Sequence, residues 1–137
     1  DLAASATFRP ELGEPWQVTK VYWPAFPKSI MRASIEALKA QGSDSEFAMM
    51  DPDDIPFACD DELVTTVIEG ADFLPRKIAA MRAHGTQIAV DGGLFALADG
   101  VGAEAFSSEY FRLALGEPGA TRNEAGLETD LFAGITA

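Results

Sequence analysis

Residues 71–87 read ADFLPRKIAAMRAHGTQ, and their spacing organises the reading of the whole chain. Leu74, Ile78 and Met81 fall at i, i+4 and i+7, the spacing of one buried stripe on an amphipathic helix. Arg76, Lys77 and Arg82 fall on the other side and are expected to face water. Asp72 is the expected N-cap, and Pro75 fits the first turn, where backbone N–H groups lack intrahelical partners. His84 comes in the last turn, and Gly85 is the expected left-handed residue that stops the helix. Thr86 and Gln87 then leave the helix at a defined place, beside the only histidine of the chain.

Working outward, Leu63–Ile68 (LVTTVI) is rich in β-branched residues and reads as a strand feeding that helix. Downstream, Ile88–Val90 is expected as a short strand, Gly92-Gly93 as a turn and Leu94–Ala98 as a helical turn. Tyr110–Leu115 (YFRLAL) reads as a further strand. Upstream, Val18–Trp23 (VTKVYW) reads as a strand closed by Pro24. Pro27 and Ser29 open a helix to about Gln41, with Met31, Ile35 and Leu38 as its inner stripe, Gly42 as its stop, and Arg32–Glu36 as an i, i+4 pair. The acidic, proline-bearing residues 43–61 are expected to be a loop. Residues 116–130 form another, after which Leu131 and Phe132 give the tail an apolar anchor. Short strands alternate with two main helices, which predicts an α/β fold. Residues 1–15, with Pro10, Gly13 and Pro15, read as a linker, leaving 16–137 as the folded region.

A chain of 137 residues with 47% hydrophobic composition can bury one core unaided by disulfide or metal. The net charge of −12 opposes nucleic acid and anionic membrane surfaces, leaving small molecules or proteins as partners. No apolar run approaches the ~20 residues of a membrane helix. Cys59, the single cysteine, rules out an internal disulfide and fits a reducing, cytoplasmic setting; it is expected to be small and buried.

One histidine and one cysteine cannot build a zinc site of the nitrogen and sulfur kind. Asp51-Pro-Asp-Asp54 offers oxygen ligands, but reads more simply as a solvated acidic turn. A serine triad would need His84 and has no G-x-S-x-G elbow. Gly92-Gly93 and Gly100-Val-Gly102 do not follow the strand-to-helix pattern of a phosphate loop. His84 on its own reads as a helix-end residue bonding the last carbonyls. No self-sufficient catalytic set emerges.

Three stretches carry a resemblance. Ala83-His-Gly-Thr-Gln87 resembles the A-H-A-T-Q that follows a helix of this type in metal-dependent deacetylases of the N-acetylglucosaminyl-phosphatidylinositol de-N-acetylase superfamily, in its mycothiol-pathway branch. Glu14-Pro-Trp16 with Lys20-Val-Tyr-Trp23 resembles the entry strand of the same region. Leu127-Glu-Thr-Asp-Leu-Phe-Ala-Gly134 resembles the closing signature. The resemblance implies the C-terminal portion of a Rossmann-like α/β enzyme that uses zinc to remove acetyl from an N-acetylglucosaminyl-inositol. It implies an amino-sugar substrate for the intact enzyme. Within that branch, the L-E-T-D form and the Gly-bearing loop before it favour resemblance to the deacetylases over their sister, the mycothiol S-conjugate amidases, which remain the alternative.

The metal-binding A-H-P-D-D-E and H-P-D-H boxes of that superfamily are absent. Met50-Asp-Pro-Asp-Asp54 imitates the first only superficially, with Asp51 in place of the histidine and Ile55 in place of the glutamate. The resemblance therefore implies zinc ligands and catalytic groups in a missing N-terminal half, and Asp1 with the linker-like opening agrees with a fragment. It implies that Gln87 reaches the substrate, with His84 fixing the turn and Thr86 supporting Gln87. Gln87 bonding backbone in the core is the competing role, and Gly85 in place of the usual alanine leaves its aim open. A binding or dimerisation module without the metal half is the alternative for the whole chain, and an exposed apolar sheet face would favour a homo-oligomer.

Overall fold

The computed structural model describes residues 2, 4–87 and 106–135. Expected elements at Ile88–Val90, Gly92-Gly93 and Leu94–Ala98 lie outside them. Strands β1 (Val21–Ala25), β2 (Thr66–Glu69) and β3 (Ser108–Leu115) alternate with helices α1 (Lys28–Ala40), α2 (Glu46–Met49) and α3 (Leu74–Ala83). The mixed α/β class and the alternation with two main helices, α1 and α3, are as the sequence indicates. The described strands form one antiparallel sheet in the order β1-β3-β2, with β3 central. Nothing in that sheet displays a Rossmann-like arrangement.

β1 starts later than expected, and Pro24 lies inside it, facing Phe111. A residue without an N–H is tolerated there because β1 is an edge strand. β2 is likewise shifted from Leu63–Ile68, since Asp61–Leu63 close into a 3-10 turn before it. β3 contains the expected Tyr110–Leu115 and begins two residues earlier.

α1 matches its pattern: Met31, Ile35 and Leu38 are buried, and Gly42 adopts φ +71° just beyond the C-cap. Its N-terminus has no cap from its own side chains. Asp61 serves instead, accepting from the Ser29 N–H at 3.3 Å and from the Ser29 hydroxyl. Arg32 pairs with Asp53 at 3.1 Å rather than serving the expected pair with Glu36. Residues 43–61 are not a plain loop, because Ser45 caps α2 through the Ala48 N–H. α2 brings Phe47 and Ala48 against α1, and Ile55 joins Met31 and Ile35. Cys59 is only half-buried, its backbone bridging to Pro27.

α3 departs most from expectation. A 3-10 turn over Ala71–Phe73 precedes it, so Phe73 rather than Asp72 is the N-cap. Leu74, Ile78 and Met81 are half-buried, and the helix buries none of its residues fully. Gly85 is not left-handed; the chain leaves through a turn in which the Gln87 N–H donates to the His84 carbonyl at 2.8 Å. Among the described residues, no helix is long and apolar enough to cross a membrane.

Ile35 is 1% exposed in the α1 core. Ile35→Ala is expected to lower unfolding free energy by about 2–5 kcal/mol in denaturant titration, through lost burial and the cavity left behind.

Candidate functional site

The turn after α3 brings together His84, Thr86 and Gln87, all exposed. Their aim depends on what holds α3. Lys77, expected to be wet, is half-buried and turned toward β3. Its ammonium donates to the Phe106 carbonyl at 2.9 Å, pairs with Glu109, and sits 4.5 Å from the Phe106 ring centre. One cation thus fastens the middle of the helix to the start of the central strand. The half-exposed ion pair itself contributes little; the geometry comes from the carbonyl and ring contacts added to it.

The most deeply buried residue of the tail is one the sequence does not single out. Of the expected apolar pair, Leu131 is half-buried and Phe132 is 77% exposed, whereas Glu128 is fully buried. Its backbone pairs with Thr66 in a parallel bridge: the Glu128 N–H donates to Thr65, and the Val67 N–H donates to the Glu128 carbonyl, both at 2.9 Å. This adds a short segment beside β2 and points the carboxylate beneath the sheet toward β1.

Four donors meet that carboxylate. Oε1 accepts from the Lys20 ammonium at 2.7 Å and the Gly119 N–H at 2.5 Å. Oε2 accepts from the Tyr22 hydroxyl at 2.6 Å and the Thr66 hydroxyl at 3.1 Å. Lys20, its side chain 6% exposed, spends its other two protons on the Tyr22 oxygen and the Ala133 carbonyl. All three ammonium donors and both carboxylate oxygens are therefore satisfied. Gly119 is required here, because a Cβ would lie 2.3 Å from the Ala133 Cβ and 2.7 Å from Glu128 Oε1.

Burial works to raise the Glu128 pKa. Lys20, Tyr22, Gly119 and Thr66 together outweigh it and hold the carboxyl at about 2. Burial likewise works against the Lys20 charge, but its bonds to Glu128 and Tyr22 leave it held above the ordinary lysine value. The Tyr22 phenol is pushed up by burial and by the neighbouring carboxylate. These groups keep one charge state across the neutral range. They suit a structural joint rather than proton transfer, which needs a pKa near the working pH.

A cavity of about 330 Å³ lies between α1 and the sheet, with Phe26, Ile30, Met31, Phe47, Phe106 and Tyr110 in its wall. Lys77 and Glu109 are its charged lining residues among those described, and they neutralise each other. Asp51 of the acidic turn accepts from the Asp53 N–H at 3.0 Å, which is turn geometry. Among the described residues, no three histidine, cysteine, aspartate or glutamate side chains converge on a point where a metal ion could sit. The described residues do not by themselves fit a zinc centre.

No protein-family model matches the chain. Comparison with curated proteins is informative over nearly its whole length. It is 51% identical over 136 residues to a 1D-myo-inositol 2-acetamido-2-deoxy-alpha-D-glucopyranoside deacetylase of Geodermatophilus obscurus, covering 98% of this chain and 45% of that protein. The chain is homologous to these deacetylases. A relative of the same name from Nocardioides sp. is 47% identical, again over 98% of the chain and 45% of its own length. A third, from Acidothermus cellulolyticus, is 49% identical over 119 residues, 86% of the chain and 40% of the relative. The chain thus spans a little under half the length of the deacetylases it matches.

The Glu128 joint, which the sequence does not single out, ties two of the stretches that carried the resemblance: Lys20 and Tyr22 in one, Glu128 and Ala133 in the other. Flanked by Leu127, Thr129 and Asp130, Glu128 carries no local signal of burial. Because the folded Glu128 pKa lies below the ordinary 4.5, its contribution is complete above about pH 4.5 and is lost as the pH falls toward 2. The contribution is on the order of 3 kcal/mol. Glu128→Gln is expected to lower stability at pH 7 and to flatten the acid limb of the stability–pH curve measured by chemical denaturation.

Proposed function

We propose that this chain is the C-terminal part of a zinc-dependent amide hydrolase that removes the acetyl group from an N-acetylglucosaminyl-inositol. The observation that carries the reading is homology over 98% of the chain to proteins named for that deacetylation. Residues 16–137 are the substrate-side α/β region, and residues 1–15 are its connection to the rest. The exposed course of residues 6–14, with one 3-10 turn at Pro10–Leu12, supports that division. Zinc and the groups that activate water belong, in this reading, to polypeptide outside these residues. The acidic surface and the lone Cys59 favour the cytoplasm.

In this reading, the chain supplies the wall that binds and orients the sugar. Gln87 offers an amide donor and a carbonyl acceptor from an exposed turn, which suits recognition of hydroxyl or acetamido groups. His84 shapes that turn through its carbonyl, which accepts from the Gln87 N–H. Thr86 supports Gln87 from within the same turn. The Lys77 fastening to Phe106 and Glu109 keeps the helix, and hence the turn, at a fixed distance from the sheet.

The intact protein is expected to release acetate from the N-acetylglucosaminyl-inositol and to lose that turnover on chelation of zinc. Gln87→Ala should lower kcat/KM roughly 5- to 150-fold, the effect of losing about 1–3 kcal/mol of hydrogen bonding. An unchanged kcat/KM in a protein that remains folded removes Gln87 from the substrate wall.

A further inference from the structure

The cavity between α1 and the sheet does not match the polar ligand of the deacetylase relatives. A glucosaminyl-inositol carries hydroxyls around its whole perimeter, and burying them against phenylalanine, isoleucine and methionine would leave them unpaired. Among the described residues, the charged groups in the wall are Lys77 and Glu109, and they already bond each other. What fits such a space is an apolar side chain.

The rim points the same way. Phe26 and Phe57 both border the cavity and pack edge-to-face, with ring centres 5.3 Å apart. Yet they remain 47% and 53% exposed. Paired aromatic rings beside an apolar hollow form the kind of surface that monomeric proteins cover. The relatives possess the material to cover it, since more than half of their length lies beyond the region matched here.

We propose that the Phe26–Phe57 rim and the hollow behind it are the seat on which the remaining polypeptide of the same protein docks, inserting an apolar side chain into the cavity. The occupant is a covalently continuous segment, rather than a second copy or a free small molecule. The proposal rests on the reading that this chain belongs to a longer hydrolase. It adds where the two parts meet and by what chemistry. The docked segment would also shield α1 and β1, steadying the platform from which α3 and its turn project.

The test uses the intact protein with the photo-crosslinking residue p-benzoylphenylalanine at position 57, at position 26 in a second variant, and at exposed Met49 on α2 as a control. A retained cooperative thermal transition certifies folding, and intact mass reports the length. Irradiation of the monomer should join positions 57 and 26 to polypeptide outside these 137 residues, at least several-fold more than position 49 does. Crosslinks confined to these 137 residues, a crosslinked pair of copies, or no crosslink above the control overturns the proposal. Deacetylase turnover in the same preparations separates the two readings. Activity without the crosslink removes the docking seat alone, whereas a mass showing no additional polypeptide removes both.

Discussion

A charged carboxylate with no contact to water can persist only if every one of its acceptor positions is filled, and that constraint shapes this fold. Glu128 meets it by drawing Lys20 and Tyr22 from the β1 side, Thr66 from β2 and Gly119 from the loop between β3 and the tail. A buried ion pair is seldom better in net energy than a well-packed apolar filling of the same volume. Its effect is on uniqueness, because a tail shifted by one residue would strand an ammonium and a carboxylate in an apolar interior. The sheet is small, and two of its described strands have only four or five residues. A polar joint with a fixed register therefore supplies definition that the packing of so few side chains does not.

The helical side is organised differently. α1 carries two apolar clusters, Met31 and Ile35 with Ile55, and Leu38 with Ala48 of α2, and Phe47 packs against both. α3 lies outside them, half-buried, and is fastened through Lys77 to Phe106 and Glu109. A helix with so little buried surface takes its position from a few directed contacts. That division suits the proposed role: a stable sheet and core carry a lightly attached helix whose terminal turn presents His84, Thr86 and Gln87.

How much of this was legible in the sequence depended on whether the cause was local. The 3.6-residue period of Met31, Ile35 and Leu38 states its own burial, and the stop at Gly42 follows from backbone freedom at that residue. The same period in Leu74, Ile78 and Met81 gave the helix but not its depth of burial, because depth is decided by what lies opposite. Asp61 capping α1 from more than thirty residues away, Arg32 choosing Asp53, and Pro24 sitting on an edge are tertiary facts with no local signature. Lys77 reads as a wet residue because a lysine can extend along apolar surface and reach a carbonyl only when the fold provides one. At the candidate site, proximity of His84, Thr86 and Gln87 was legible because they are neighbours in the chain. Glu128 was not, since a glutamate in a Gly-bearing tail looks solvated until its four donors arrive from other segments.

The most direct measurement of this joint is a double-mutant cycle between Lys20→Met and Glu128→Gln, with unfolding free energies taken at pH 7. If the two groups form one interdependent unit, the double variant loses far less stability than the sum of the singles, with a coupling energy of at least about 1 kcal/mol. Additivity within about 0.5 kcal/mol would contradict the account, showing that the carboxylate and the ammonium stabilise the fold separately.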